Sequence, residues 1–427
     1  MGRGLRSLTM VIFLALLTAV ISISGCQDES AHDENDEPIN SSYSFSNYWS
    51  PWVTNTTTDS ATINWRGGSD ASGVVHYDTT DYYTTHNEFR YSISTTDDDR
   101  YQHVKIDGLD EDSSYTYQVK LDDGHLFGVH SFRTMPESGP FKFIVISDPQ
   151  EGHNYNLEDR FKYVAEAVAK ETDAAFVLCG GDYTRFDAVD GWCRFFQVAL
   201  PMTSKIAIFP TVGNHEYHKD GGTEPTGADH YRWSFDVPLY YSFDCANIRF
   251  CVLASPDPNS AKKDDPQTAR AYAESQAGWL YDQLDNQLAG IFTIQHDPIW
   301  NAGSTERDEN LGVWDDYFHQ FNISANFCGH RHNYQRFMVD GIPYFIVGTA
   351  GGASSDVDGP YPDGFIIGES RHLGYLRVYV DPEAGTARAE QVCIGYVTED
   401  DSSALPVMFQ QPQIHDTVDF PLQSSSN

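Results

Sequence analysis

Two carboxylates sit directly behind apolar runs. Phe143-Ile144-Val145-Ile146-Ser147 leads into Asp148-Pro149-Gln150, and Ala175-Phe176-Val177-Leu178-Cys179 leads into Gly180-Gly181-Asp182-Tyr183. Three later runs end in the same manner: Ile206 to Val212 precedes Gly213-Asn214-His215-Glu216, Ile291 to Gln295 precedes His296, and Ile323 to Cys328 precedes Gly329-His330-Arg331-His332. Carboxylates, an amide and several imidazoles are the mixed oxygen and nitrogen donors that two divalent ions need when they lie about 3.5–4 Å apart and share a bridging carboxylate. Singly, each segment has a plainer reading, since Asp-Pro and Gly-Asp are ordinary turn dipeptides and Gly-Asn-His suits a loop. GNHE and GHRH are more specific, and the order of all five argues for one metal-dependent site.

For these residues to meet, the runs must be strands of one layered domain, because ligands of α/β sheets collect in loops beyond the carboxyl ends of strands. From Phe141 onward short apolar runs alternate with helical stretches, Arg160 to Thr172 and Ala273 to Leu288, which predicts an α/β layer over residues 141–400. Ahead of it the pattern is all-β. Ser60 to Trp65, Gly73 to Tyr77, Tyr101 to Ile106 and Val129 to Thr134 read as strands separated by turns, a sandwich over residues 43–135 followed by the linker Met135-Pro136-Glu137-Ser138-Gly139-Pro140. Leu109 followed by Tyr115 and Tyr117 at the head of a strand is the arrangement of a tyrosine corner. Residues 401–427 read as a C-terminal tail.

Residues 1–26 carry Arg3 and Arg6, an apolar stretch from Leu8 to Ser22, and Ile23-Ser24-Gly25-Cys26, which together read as a lipoprotein-type signal peptide. On this reading Cys26 is lipidated, membrane attachment runs through it alone, and residues 27–42 are an acidic flexible tether; an uncleaved anchor helix is the alternative. Either way the bulk of the chain is expected to be extracytoplasmic, anchored to the cell membrane or secreted. The 427 residues exceed the ~250–300 at which single cores stop growing. With 27 Lys and Arg against 62 Asp and Glu, the net charge of −35 excludes nucleic acid as a stable partner. It also repels anionic substrates at long range unless bound cations reverse the field locally. Cys179 and Cys328 end apolar runs and read as reduced core thiols, while pairing among Cys193, Cys245, Cys251 and Cys393 is open. The sequence sets no oligomeric state.

Asp148, Gly181-Asp182, GNHE at 213–216, His296 and GHRH at 329–332 resemble the signature of the calcineurin-like metallophosphoesterases over roughly residues 141–380. YYSFD at 240–244, CVLAS at 251–255, QAGWLYDQL at 276–284, HDPIW at 296–300, GHRHNYQR at 329–336 and GTAGG at 348–352 look like the purple acid phosphatase branch, where a fibronectin type III-like module precedes the catalytic domain. The resemblance implies an α/β (α+β) fold, a four-layer αββα metallophosphoesterase sandwich preceded by an all-β fibronectin type III-like sandwich. It implies two divalent metal ions, Mn, Fe, Zn or Mg, with Asp182 as the bridge, Asp148, Gln150 and His332 at the first, and Asn214, His296 and His330 at the second. A metal-bound hydroxide would then attack phosphorus in line, His215 would stabilise or protonate the leaving alkoxide, and Glu216 would orient His215 or its loop.

Two positions depart from that pattern. Gln150 stands where many members carry a ligating His in D-x-H, and its amide oxygen tilts the first site toward the harder ions Mg, Mn or Ca. His153 in the same loop is either a compensating ligand or a surface residue. Arg185 occupies the place of the Tyr that gives purple acid phosphatases their colour, and Tyr183, two positions early, is expected to point elsewhere, so the protein should be colourless. Arg185 is a candidate catalytic residue that would grip a phosphate oxygen through its bidentate fork, or else a solvated loop Arg. His218 and His230 line the cleft or face solvent, and His372 reads as structural. The leading expectation is an extracytoplasmic phosphate monoester hydrolase acting on a small phosphate-ester substrate. A phosphodiesterase or nucleotidase would use the same site, and a catalytically silent cell-surface binding protein is the alternative of another class.

Overall fold

The computed structural model describes residues 48–423 apart from 69–70, 96–98, 153, 219–226, 257–265, 285–287 and 399–404, so the segments read as a signal peptide and a tether, with Cys26 and His153, lie outside the described residues. Seven strands come first: β1 (Trp49–Thr54), β2 (Ser60–Arg66), β3 (Gly73–Thr79), β4 (Tyr91–Thr95), β5 (Tyr101–Asp107), β6 (Ser114–Leu121) and β7 (Leu126–Arg133). Along β5 every second side chain, Gln102, Val104 and Ile106, turns inward, the period of a half-buried strand. β1, β2 and β5 pair on one side, and β4, β3, β6 and β7 form a separate four-stranded sheet. The Tyr115 hydroxyl accepts the Asp110 amide at 2.8 Å, which closes the expected tyrosine corner.

The expected boundary near residue 135 marks a change of pattern rather than a gap in packing. β1 pairs in parallel with β10 (Ala207–Pro210), Thr54 opposite Ile208, so three sandwich strands extend the sheet of the following layer. Trp52 stacks on Phe196 at 3.9 Å between ring centroids, and Tyr117 donates its hydroxyl to the Ser204 carbonyl at 3.0 Å. All described residues therefore fall in one compact unit.

Beyond the linker, β8 (Phe141–Ile146), β9 (Ala174–Cys179) and β10 run parallel, each buried along its whole length, which is why their sequences are continuous apolar runs. A second sheet follows from β11 (Tyr241–Cys245), β12 (Ile248–Val252), β13 (Gly290–Ile294), β14 (Ala325–Cys328), β15 (Asn333–Val339), β16 (Ile342–Val347) and β17 (Phe365–Ser370), in the order β11-β12-β13-β14-β16-β15-β17. The chain then returns to the first sheet with β18 (His372–Asp381), β19 (Thr386–Tyr396) and β20 (Val407–Pro421). Phe143 joins the sheets face to face, its ring 5.2 Å from Phe250, 5.5 Å from Phe292 and 5.8 Å from Phe327. A fully buried Phe of this kind contributes on the order of 2–3 kcal/mol.

Helices Phe161–Val168 and Val189–Thr203 cover the outer face of the first sheet, and Pro266–Leu284 and Gly312–Phe321 cover the second, giving the αββα layers the resemblance implied. The first helix is shorter than expected and ends at Val168. The third begins at Pro266, where proline's missing N–H costs nothing because first-turn amides are unpaired anyway. The supposed C-terminal tail is a correction: residues 407–421 form a 15-residue edge strand paired antiparallel with β19.

Under the first sheet Glu171 gathers Lys142 at 2.7 Å, Tyr375 at 2.5 Å and Arg377 at 2.5 Å, and Asp173 also binds Lys142. Burial alone would raise the Glu171 carboxyl, but hydrogen bonds from Arg377, Lys142 and Tyr375 bring it down to about 2. A carboxyl depressed in the folded state stabilises fully above its unfolded value of about 4.3, and that stability is lost as pH falls toward 2. Glu171→Gln should lower stability near pH 7 by about 3 kcal/mol. Denaturant unfolding between pH 5 and pH 2.5 should show a smaller acid loss in the variant, and parallel curves would remove Glu171 as the acid-sensitive group.

Candidate metal centre

Each candidate ligand leaves the carboxyl end of a buried strand. Asp148 follows β8, Asp182 follows β9, Asn214 and His215 follow β10, His296 follows β13, and His330 and His332 follow β14. Asp148, Asp182 and His330 adopt left-handed backbone with φ of 58°, 58° and 66°. Such a conformation costs a non-glycine residue roughly 1–2 kcal/mol, and strain of this type collects where side chains must be aimed. The turns are held by cross-strand bonds. The Asp148 amide donates to the Gly181 carbonyl at 3.1 Å, and the Asp148 carboxylate receives the His330 amide at 2.9 and 3.0 Å. The Asp182 carboxylate receives the His215 amide at 3.0 Å. A Cβ at Gly213 would run into that carboxylate, so only glycine fits there.

Three imidazoles are oriented alike. His296 Nδ1 lies 2.7 Å from the Gly180 carbonyl, His332 Nδ1 2.6 Å from Ala353, and His215 Nδ1 2.6 Å from Arg185. A carbonyl only accepts, so each Nδ1 carries hydrogen and each neutral ring turns a lone pair outward from Nε2. His296 Nε2 then stands 2.9 Å from Asn214 Oδ1 and 3.2 Å from Asp182 Oδ2, and His332 Nε2 3.5 Å from Asp148 Oδ1. His330 brings its Nδ1 to within 3.0 Å of the same Asn214 oxygen. At His296 a lone pair meeting two oxygen acceptors this closely requires a proton or a metal cation between them. Burial opposes charge on His296, yet Asp182 and then Asp148 raise it well above the ordinary imidazole value. Asp182 shows the converse shift: burial opposes its charge, and His296 and His215 hold it below the carboxylate range.

One donor atom each from Asp148, Asp182 and His332 lies within 4.8 Å of the other two. Gln150 joins them, its Nε2 3.1 Å from His332 Nε2 and its Oε1 buried with no hydrogen-bond partner. An orphaned buried acceptor beside two carboxylates and an imidazole suits a hard cation, so the residues present fit a pair of divalent ions.

Glu216, expected to be catalytic, is fully buried behind the ligands. Its carboxylate accepts the amides of Asp182 at 2.9 Å, Tyr183 at 2.9 Å and Gly213 at 2.7 Å, which makes it a positioning residue for two loops. Burial, then Asp182, push its carboxyl up to about 8 against the pull of those amides. Arg185 touches the site through its carbonyl, on His215, and its guanidinium lies over Phe186 at 5.2 Å. Tyr183 points away from the centre into an aromatic cluster, stacked on Trp192 at 5.3 Å. His218 places its ring 5.4 Å from that of His215, and His230 is bound to Asp187 at 3.0 Å. Glu151 went unrecognised in the sequence, which offers no spacing signal for it. Burial raises its carboxyl, opposed by its own amide and that of Arg185. Asp297, 3.7 Å from His330 Nδ1, is a second such residue, and only its place directly after His296 hinted at it.

Residues 141–334 match the calcineurin-like phosphoesterase family, and residues 49–134 match the purple acid phosphatase N-terminal domain. Phosphoenolpyruvate phosphatase of Allium cepa is 27% identical over 270 residues, 57% of this chain and 52% of its own. The chain spans about half the length of the curated relatives it matches. Among solved structures, purple acid phosphatase PPD1 of yellow lupin superposes with a TM-score of 0.64 at 16% identity, over 88% of this chain and 74% of that one. PhoD superposes with a TM-score of 0.64 at 14% identity, over 90% and 92%. With both matched segments lying on the layers and strand ends described above, the chain carries a calcineurin-like phosphoesterase domain, with a purple acid phosphatase N-terminal domain ahead of it.

Proposed function

We propose that the chain hydrolyses small phosphate monoesters outside the cytoplasm with the help of two divalent ions, to both of which Asp182 would be a ligand. Asp148, Gln150 and His332 would hold one ion, and Asn214, His296 and His330 the other. The observation that carries this reading is the convergence of ring nitrogens of His296, His330 and His332 on Asp148, Asp182 and Asn214. When bound, such an ion pair neutralises phosphoryl charge and lowers the pKa of water enough to make a nucleophile at neutral pH. The chain's own residues supply the rest. His215, its Nδ1 fixed on the Arg185 carbonyl, presents Nε2 to hold and deliver a proton to the leaving oxygen. The name of the Allium cepa relative, a phosphatase, supports the monoester reading. The signal peptide and Cys26 support a lipid-anchored or secreted location.

The decisive assay is hydrolysis of p-nitrophenyl phosphate beside bis-p-nitrophenyl phosphate by the purified chain, stripped of metal and refilled with Mn, Mg, Zn or Fe. The monoester should be turned over only after refilling, and Asn214→Ala should reduce the rate roughly 100-fold or more. Preference for the diester would replace this reading with a phosphodiesterase, and inactivity toward both with every metal would favour the binding protein. Gln150→His should shift metal preference from Mn and Mg toward Zn and Fe, measured by competitive loading, and an unchanged order would show that Gln150 is not a ligand. Because Tyr183 is turned into the core, the iron-loaded protein should have no visible charge-transfer band.

A further inference from the structure

A second donor set lies away from the residues so far described. His372 opens β18, Cys393 lies near the end of β19, and His415 projects from β20. One ligand atom of each lies within 4.8 Å of the other two. The two imidazoles meet edge to face with centroids 4.8 Å apart. Glu369, near the end of β17, places Oε2 2.9 Å from His415 Nδ1 and 3.5 Å from His372 Nδ1. Three register shifts adjoin the cluster: Leu373/Gly374 between β18 and β19, and Gln391/Val392 and Cys393/Gly395 between β19 and β20. Bulges re-aim side chains, and here they accompany residues from three adjacent strands that share one point.

An ordinary core explains a buried cysteine, which behaves as a small hydrophobe. It does not explain two imidazoles beside it, one of which, His372, buries an Nδ1 with no hydrogen-bond partner. We propose that His372, Cys393 and His415 bind one zinc ion, separate from the proposed catalytic pair, with Glu369 as the carboxylate that orients the His415 ring. A thiolate with two imidazoles is a donor set suited to zinc, and carboxylate-to-imidazole contacts of the Glu369 type commonly stand behind metal-bound histidines. A tetrahedral zinc with Zn–S of about 2.3 Å and Zn–N of about 2.0 Å keeps its ligand atoms roughly 3.3–3.6 Å apart, so the three need to close in by at most about 1.5 Å on binding. The side chains of His372 and His415 are 26% and 18% exposed, which gives the ion a path in. On binding, the Cys393 thiol gives its proton to solvent.

The ion would pin the last strand in place. β20 is already tied to the second sheet by Asp416, which receives Tyr334 at 2.8 Å and Arg336 at 2.6 Å. Tyr334 pairs with Glu369 across β15 and β17 and lies two residues beyond His332, so the zinc would brace the strand that begins directly after a proposed metal ligand.

Cobalt loading of the purified full chain tests this without reference to activity. None of the proposed catalytic ligands carries sulfur, so a near-ultraviolet thiolate-to-cobalt band reports this site alone. The band should be present in the unmodified chain, absent in Cys393→Ser and retained in Cys251→Ser, with zinc content one equivalent lower in Cys393→Ser. Should Cys393→Ser fail to fold, His415→Gln on the edge strand should show the same loss of one equivalent. No thiolate band in the unmodified chain, or equal zinc content in the unmodified chain and the folded variant, would overturn the proposal.

Discussion

Three backbone amides converge on one buried carboxylate, and the metal centre depends on that convergence. Glu216 receives the amides of Asp182, Tyr183 and Gly213, so the turns after β9 and β10 are cross-tied at the point where the bridging carboxylate and the next ligand segment begin. An amide-to-carboxyl hydrogen bond contributes about 0.5–1.5 kcal/mol net. Three of them help to offset the left-handed backbone at Asp182, while burial still holds the acid above the ordinary carboxyl range. Without such a tie, Asp182 would be free to turn its carboxylate away from His296 and from the negative charge of Asp148. The carbonyls of Gly180, Ala353 and Arg185 complete the same scheme from the acceptor side by fixing which nitrogen of each ring is free.

This explains which parts were legible in the sequence. Strands buried on both faces must be apolar throughout, so β8, β9, β10, β13 and β14 announce themselves, and the polar residues in the short loop after each are ligand candidates by position. The role of Arg185 was illegible because its part is played by a carbonyl, which every residue type possesses. Glu216 was readable as part of GNHE, but its burial behind the ligands depends on the three-dimensional meeting of two loops. β20 was missed for a different reason. It is an edge strand with Pro412, Gln410 and Gln411 in its first half and one buried side chain, Phe420, near its end, a pattern that propensity reads as a tail. His372, Cys393 and His415 have no spacing to recognise, because bulged registers on three strands bring them together.

The joining of β1 to β10 changes how the N-terminal sandwich bears on the site. A spacer on a flexible linker would leave the following layer indifferent to it. Here Trp49 and Trp52 stack on Phe196 of the helix Val189–Thr203, and Phe195 of that helix meets Tyr183, the residue directly after Asp182. The aromatic cluster that turns Tyr183 away from the metal centre is thus continuous with the sandwich, and the position left at Arg185 is shaped by packing as much as by the missing phenol.

Charge decides how this site meets a phosphate ester. The chain carries −35 overall, and the ligand set itself adds Asp148 and Asp182 at the point of chemistry. A phosphate dianion approaching such a surface is repelled out to a Debye length of about 10 Å at 0.1 M salt. Two divalent ions held by the proposed ligands would reverse that balance locally, four positive charges against two carboxylates, among buried side chains where solvent screens least. On the proposed function, substrate capture and bond cleavage would then draw on the same ions, and a centre missing one of them would lose attraction as well as reactivity. Salt weakens the long-range repulsion from the acidic surface more than the short-range pull of the centre, so an acidic exterior is compatible with an anionic substrate wherever ionic strength is high.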